Sequence, residues 1–228
     1  MECIVLAGGF GTRLREVVPD LPKPMAPIAG RPFLEILLSS LARKGFTKAV
    51  LSLGFMAEAI STHFGETYAG MRLAYEVELQ PLGTGGAIRA ALTRCESDHV
   101  FIFNGDTYVD LEVDALESLW QAGRHPVIVV REVPDTARFG RVQMIDGRVS
   151  AFLEKGASGA GLINVGCYVL PRHALDEFPL GQAFSIETEF FMKHLQNARF
   201  DGFITGGQFI DIGVPKDYLL AQTALAGL

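Results

Sequence analysis

Short apolar runs constrain the fold of this 228-residue chain more than any other sequence feature. They occupy residues 3–6, 49–53, 99–104 and 127–130, and each is too short for a typical helix. Because they are almost continuously apolar, they predict strands buried on both faces, as in a parallel sheet. Helical patterns at 32–44, 57–64, 84–92 and 113–122 separate them. This alternation predicts an α/β fold, with a Rossmann-like, mostly parallel central sheet and helices on both faces.

The second half of the chain has a different pattern. Residues 140–145 and 148–154 flank Asp146-Gly147, which is typical of a β-hairpin. We expect further strands at 162–170, 200–204 and 208–212, with helical segments near 172–178 and 186–195 and a last helix over 214–225. The antiparallel strands predict a small sub-sheet beside the parallel one. Without an evident linker, we expect a single domain over residues 1–228.

Composition narrows the classes of partner. The formal net charge is −6, which argues against nucleic acid as a ligand. No apolar run reaches the roughly 18 residues of a membrane span, and the strand-like N-terminus does not resemble a signal peptide. Cys3, Cys95 and Cys167 are far apart in the sequence, which favours reduced thiols and a cytoplasmic location. The apolar residues of the last helix could pack against the core or against a second copy of the chain. A homodimer is therefore one of two alternatives.

A glycine-rich turn follows the first strand. Gly8, Gly9 and Gly11 would let the backbone turn sharply and approach a ligand closely. Thr12 and Arg13 stand at the expected start of a helix, where backbone N–H groups favour anions. Arg13, and Lys23 in a Pro-Lys-Pro-Met run, add positive charge suited to phosphate. The turn therefore predicts a phosphate-binding site, although glycines that only pack a strand-to-helix corner would give a similar pattern.

Two carboxylates are candidates for a metal site. The apolar strand at 99–104 runs into Asn104-Gly105-Asp106. Asp106 is therefore expected at the edge of the sheet where α/β proteins bind ligands. Asp211 is flanked by isoleucines, where an acidic group is costly unless it is paired or metal-bound. Two such oxygen donors suit Mg²⁺; a turn-forming role for Asp106 is the alternative. Asp110, Asp114 and Asp217 are expected to be solvated or helix-capping residues.

The whole set of motifs resembles the sugar-nucleotide pyrophosphorylases, the nucleotidyltransferases that make NDP-sugars. The resemblance rests on Gly-Gly-Phe-Gly-Thr-Arg-Leu with Pro-Lys-Pro-Met, Leu-Gly-Thr-Gly-Gly-Ala, Phe-Gly-Arg-Val, Glu-Lys, Asn-Val-Gly and Asp-Ile-Gly-Val-Pro, in which Val214 replaces the usual Thr. It implies that residues 1–135 mainly bind the nucleotide and 136–228 mainly the sugar phosphate. The implied nucleotide-binding residues are Leu6, Ala7, Gly8, Gly9, Gly11, Thr12, Arg13, Lys23, Gln80, Gly85, Asn104 and Asp106.

The resemblance also implies the roles. Gln80 would read the base, although plain surface exposure of this side chain stays open. The Gly140 backbone and Glu154 would bind sugar hydroxyls, Lys155 the sugar phosphate, and Asn164 would orient the sugar. Asp106 and Asp211 would hold Mg²⁺. Catalysis would rest on Arg13, Lys23 and Asp106, as the sugar phosphate attacks the α-phosphorus of the nucleoside triphosphate. Glu187 has either a sugar-side role or a place at a helix start.

Within that family, the Pro-Leu-Gly-Thr-Gly-Gly-Ala loop and the Asp-Ile-Gly-Val-Pro run look most like guanylyltransferases of D-glycero-α-D-manno-heptose 1-phosphate, which act in bacterial surface polysaccharide synthesis. The expected substrates are then GTP and that sugar 1-phosphate. Mannose-1-phosphate guanylyltransferases are the alternative, followed by uridylyl- and thymidylyltransferases of other hexose phosphates. A catalytically silent regulatory subunit would lack Arg13, Lys23, Asp106 or Asp211, and all four are present.

Overall fold

The computed structural model describes residues 1–9, 11, 14, 17–153, 156 and 158–228. Four predicted site residues, Thr12, Arg13, Glu154 and Lys155, lie outside the described residues, as does the helix expected to begin at Thr12. The strands are β1 (Glu2–Ala7), β2 (Pro27–Ile28), β3 (Arg31–Pro32), β4 (Lys48–Leu53), β5 (Thr67–Tyr68), β6 (Met71–Val77), β7 (His99–Asn104), β8 (Thr107–Val109), β9 (Val127–Val133), β10 (Arg141–Ile145), β11 (Arg148–Leu153), β12 (Gly161–Pro171), β13 (Asp201–Ile204) and β14 (Phe209–Asp211). The helices are α1 (Phe33–Arg43), α2 (Ala57–Phe64), α3 (Gly83–Leu92), α4 (Val113–Gly123), α5 (Met192–His194) and α6 (Pro215–Ala224).

The expected α/β fold is confirmed, with a mixed central sheet. Its strand order is β10-β11-β13-β9-β12-β7-β1-β4-β6-β5. The segment β7-β1-β4-β6 is parallel, and β12 then runs antiparallel between β7 and β9. The expected antiparallel strands are therefore joined to the parallel ones through β12 in one mixed sheet. Two short pairs, β14–β8 and β2–β3, lie outside this sheet.

The residues of β1 show why the apolar runs form the middle of the sheet. Cys3, Val5 and Ala7 pack into one core cluster with residues of α1 and α4. Ile4 packs into the cluster on the opposite face with residues of α3. Both faces of the strand are thus buried, and fully burying a large aliphatic side chain contributes about 1.5–3 kcal/mol. The continuous apolar run is the pattern that this burial requires.

The hairpin and the last helix follow the sequence pattern. β10 and β11 pair antiparallel across Asp146-Gly147, and both turn residues have positive φ, as the tight turn requires. In α6 and just after it, Tyr218, Ala221 and Leu225 are buried, whereas Leu219 and Leu220 are more than half exposed. The apolar residues of α6 therefore divide between core and surface, and a homodimer stays a prediction.

The segment between β12 and β13 departs from expectation. The helix predicted near 172–178 is wrong: the segment is a series of turns, closed by Ala174 N–Pro171 O and Phe178 N–Leu175 O bonds of 2.9 and 3.1 Å. Pro171 and Pro179 leave too few residues between them for a stable helix. The helix predicted over 186–195 is present in part, as a π-helical segment (Ile186–Phe191) followed by α5.

No described helix has the length and apolar composition that would let it cross a bilayer. The three cysteines are buried and unpaired. Burial raises the pKa of the Cys95 thiol to about 12, so that group is inert near neutral pH.

Candidate active site

Three parallel strands end at one edge of the sheet, and a glycine follows each. They are β1, β4 and β7, followed by Gly8, Gly54 and Gly105. A Cβ on Gly54 would stand 2.7 Å from Gly8 O, and one on Gly105 would stand 2.6 Å from Leu6 O. Larger residues would force these backbones apart. Close packing of the backbone therefore explains why glycine stands at these positions. Beyond the ends of the three strands lies an opening.

That opening is a cavity of about 540 Å³, which lies within the range of small-molecule sites. Most of the predicted nucleotide-binding residues that the structure describes line it. These are Leu6, Ala7, Gly8, Gly9, Lys23, Gln80, Asn104 and Asp106. Gly11 adjoins it, because a Cβ there would lie 3.0 Å from Lys23 Cβ, and its φ of +61° favours glycine.

The glycine-rich segment at residues 82–87, Leu-Gly-Thr-Gly-Gly-Ala, packs against the segment at 184–186. Gly85 is buried and does not line the cavity; its N–H donates to Phe184 O at 2.9 Å. Gly83, with φ of +66°, and Thr84 do line the cavity. The Thr84 hydroxyl accepts a hydrogen bond from Ile186 N at 3.0 Å, so its side chain holds the 184–186 segment and does not cap α3. A direct nucleotide contact of Gly85 stays a prediction.

Glu78 is a cavity residue that sequence reasoning missed. Its Oε1 accepts from Ser52 Oγ at 3.3 Å and its Oε2 accepts from Leu82 N at 2.9 Å, which fixes the carboxylate. A Cβ on Gly8 would lie 2.8 Å from the same Oε1, so Gly8 makes room for it. The sequence signal was an acidic residue just after a strand, two positions before the Gln80 that drew attention.

Two of the three residues predicted to be catalytic, Lys23 and Asp106, contact each other. Lys23 Nζ donates to Asp106 Oδ2 in an ion pair, with the lysine side chain only 10% exposed. The β8–β14 pairing sets Asp211 opposite Thr107, and Ile212 N donates to Asp106 O at 3.0 Å. Strand pairing thus joins two carboxylates that are 105 positions apart in the sequence (211 minus 106).

The charge state of Asp211 reflects this neighbourhood. Burial and the nearby charge of Asp106 raise the pKa of Asp211 above its usual value. The Gly213 N–H, 2.7 Å from Asp211 Oδ1, and the positive charges of Lys23 and Arg138 oppose that shift. A divalent cation would relieve the repulsion between the two carboxylates.

The donor set fits Mg²⁺ bound together with a substrate. Within the described ranges there is no cluster of three or more His, Cys, Asp or Glu able to hold a metal. Two carboxylates with open positions are the arrangement that Mg²⁺ uses when phosphate oxygens and water complete its shell. The chemistry of Asp106 and Asp211 is therefore compatible with the predicted cation, and Mg²⁺ binding itself stays a prediction.

Asn164, one of the predicted sugar-side residues, belongs to a second group of polar side chains next to the cavity. Asn164 Nδ2 donates to Glu187 Oε1 and to Tyr168 Oη, each at 2.8 Å. Asn164 Oδ1 accepts from Gly166 N at 2.9 Å, and Gly166, with φ of +74°, packs closely on the Asn104 side chain. The contact joins the two groups of predicted residues. Gly140, with φ of +81°, precedes β10.

Two residues expected to be solvated or capping have ion pairs, and the first is Asp110, which lies 2.7 Å from Lys44 Nζ. Asp217 Oδ2 lies 2.5 Å from an Nη atom of Arg138, a residue that the sequence did not single out. The same Arg138 nitrogen lies 3.5 Å from Asp211 Oδ2. Asp217 thus anchors a cation beside the carboxylate pair.

Comparisons with known proteins show the family to which the chain belongs. A family model described as "Nucleotidyl transferase" matches residues 2–227. The D-glycero-alpha-D-manno-heptose 1-phosphate guanylyltransferase of Aneurinibacillus thermoaerophilus is 41% identical over 227 residues, which cover 99% of this chain and 98% of that protein. A mannose-1-phosphate guanylyltransferase of Mycobacterium tuberculosis is 35% identical over 231 residues, covering 99% of this chain and 64% of that protein.

A solved structure is similar over the same range. The crystal structure of HddC from Yersinia pseudotuberculosis complexed with GMP-PN matches with a TM-score of 0.88. The two sequences are 36% identical, and the match covers 98% of each chain.

Proposed function

We propose that this chain, which belongs to the nucleotidyl transferase family, transfers the guanylyl group of GTP to D-glycero-α-D-manno-heptose 1-phosphate and releases pyrophosphate. The observation that carries the proposal is one cavity with two kinds of wall. One wall presents the fixed carboxylate of Glu78, and another presents Lys23 and Asp106 with Asp211 adjoining. The first suits a base with hydrogen-bond donors, and the second suits phosphates.

Glu78 supports guanine as the base. A carboxylate only accepts hydrogen bonds, and its two oxygens offer about four lone-pair positions. Ser52 and Leu82 use two of them. Guanine presents two neighbouring donors, N1–H and the exocyclic N2–H, on its Watson–Crick edge. Uracil and thymine present one N–H between two carbonyl oxygens, so a carboxylate would face at least one acceptor.

The reaction needs little proton transfer, because the attacking phosphate oxygen of the sugar 1-phosphate is already ionised. That oxygen forms a bond to the α-phosphorus of GTP as the bond to the departing pyrophosphate breaks. Lys23, and Arg13 if it acts as predicted, would bind the β- and γ-phosphates and stabilise the leaving group. Asp106 and Asp211 would hold Mg²⁺, which when bound neutralises phosphate charge and orients the reacting oxygens.

The sugar-side group fits a polyhydroxylated ring. Glu187 and the Asn164 amide lie 2.8 Å apart, and the oxygens of both side chains keep lone pairs that can accept hydrogen bonds from hydroxyls. The choice of heptose rests on the relative from Aneurinibacillus thermoaerophilus, which carries that name and is similar over nearly its full length. Mannose 1-phosphate is the second candidate, because the Mycobacterium tuberculosis relative named for it also matches almost the whole chain.

The test is to vary the sugar. Purified protein with GTP and Mg²⁺ is given heptose, mannose or glucose 1-phosphate in turn, and pyrophosphate release is measured while mass spectrometry identifies the product. We expect GDP-heptose to form with the highest kcat/KM. A higher kcat/KM with mannose 1-phosphate would favour the second candidate, and no turnover with any of the three would refute the proposed activity.

A further inference from the structure

Arg138 lies beside the proposed reaction centre. Neither the sequence motifs nor the proposed mechanism gives it a role. Its Nη2 is 2.5 Å from Asp217 Oδ2 and 3.5 Å from Asp211 Oδ2. The guanidinium carbon also lies 4.5 Å from the centre of the Phe139 ring. An ion pair and an aromatic face therefore fix the position of the cation.

The guanidinium keeps the capacity to bind a ligand. Its side chain is 39% exposed, and both of its ion pairs use the same nitrogen. Within the described ranges, its Nη1 and Nε atoms donate no hydrogen bond to another residue. Because arginine presents five N–H donors in a rigid fork, the remaining donors match the geometry of a phosphate group.

The position of Arg138 connects the two substrate regions. Asp211, on one side, belongs to the proposed cation site. Gly140, two residues along the chain, is the predicted contact for sugar hydroxyls. A sugar 1-phosphate whose ring lies near Gly140 and whose phosphate reacts near the cation site must place that phosphate between Gly140 and Asp211. A phosphate dianion there would lie near the carboxylates of Asp211 and Asp217, and the Arg138 guanidinium would offset that repulsion together with the proposed Mg²⁺ and the predicted Lys155.

The geometry points to Arg138 as a binding residue for the phosphate of the sugar 1-phosphate, which adds a cation to the predicted Lys155. This inference rests on the proposed function. It assigns Arg138 to the second substrate and not to GTP, so it makes a kinetic prediction that a purely structural role does not share.

The experiment compares Arg138→Met and Arg138→Lys with wild type. With saturating GTP and Mg²⁺, we expect Arg138→Met to raise the KM for the sugar 1-phosphate about tenfold or more, the scale of a lost charge-assisted hydrogen bond. The KM for GTP should stay within about twofold. Arg138→Lys, which keeps the charge and loses the fork, should fall between them. Calorimetric binding of the sugar 1-phosphate, with a non-hydrolysable GTP analogue bound, gives a second readout.

Arg124→Met is a matched control. Arg124 pairs with Asp98 at 3.0 Å and lies 5.1 Å from the centre of the Trp120 ring, so it has the same two kinds of contact away from the cavity. The Arg124→Met variant should leave the KM for the sugar 1-phosphate and the KM for GTP unchanged.

Three outcomes would overturn the inference. The first is an unchanged KM for the sugar 1-phosphate in Arg138→Met. The second is an equal rise in both KM values. The third is a shift confined to the Mg²⁺ concentration at half-maximal rate, which would mean that Arg138 acts only through Asp211. If Arg138→Met does not fold, Arg138→Lys and Asp217→Asn decide by the same criteria. A wild-type protein that neither turns over nor binds any sugar 1-phosphate would refute the proposed function as well.

Discussion

Replacing Glu78 with Gln should change which base the enzyme accepts. The substitution keeps the size of the side chain and removes its charge. Leu82 N would still need an acceptor at its 2.9 Å position, so the Gln carbonyl oxygen should take that place. The Gln amide NH₂ would then occupy the other position and face the N–H donors of guanine.

The size of the effect follows from that mismatch. Setting a donor against a buried donor costs about 1–3 kcal/mol, which corresponds to a roughly 5- to 150-fold loss of kcat/KM. The loss should be specific to GTP, because UTP and dTTP would gain an amide partner for a carbonyl oxygen. We therefore expect the ratio of kcat/KM for GTP to that for UTP to fall by at least tenfold.

The assay is pyrophosphate release with each triphosphate at a fixed sugar 1-phosphate concentration. Glu76→Gln is the control, since Glu76 lies on β6, the strand that Glu78 follows, and pairs with Arg94 at 2.5 Å, outside the cavity lining. Gln80→Ala tests the residue that the sequence analysis expected to read the base. If Glu78→Gln keeps the preference for GTP and Gln80→Ala loses it, the assignment of Glu78 is incorrect.

Two further predictions concern catalysis and stability. Asp106→Asn should abolish Mg²⁺-dependent pyrophosphate release and leave the circular dichroism spectrum unchanged, and undiminished turnover would remove Asp106 from the reaction. Burial of Glu2 opposes its ionisation, but hydrogen bonds from Ser97 N, Lys48 and Glu96 N outweigh it and lower the pKa from 4.5 to about 2. The resulting stability, up to about 3 kcal/mol, is present above pH 4.5 and is lost as the pH falls towards 2. Urea unfolding should show the advantage of wild type over Glu2→Gln shrinking across that window, and a constant difference would contradict the assigned pKa.

The middle of the sheet could be predicted from the sequence because its strands are buried on both faces. The runs at 3–6, 49–53 and 99–104 all became strands of the parallel segment. The two carboxylates could be singled out for a related reason, since an ionisable group at the end of an apolar strand is costly without a partner.

Other features depend on contacts between distant segments, which a local pattern does not encode. The role of Thr84 is set by Ile186, 102 positions away (186 minus 84). Asp217 looked like a solvated or capping residue because Arg138, its partner, is distant in sequence. The sequence analysis did not single out Glu78, because its position at the cavity depends on hydrogen bonds from Ser52 and Leu82 that hold its carboxylate.

The proposed activity is tested most directly by a competition among nucleotides. Equal concentrations of GTP, ATP, CTP, UTP and dTTP are mixed with the protein, Mg²⁺ and heptose 1-phosphate, and the products are separated and identified by mass. We expect GDP-heptose to be the main product from the earliest time points. Predominance of a UDP- or dTDP-sugar would contradict it.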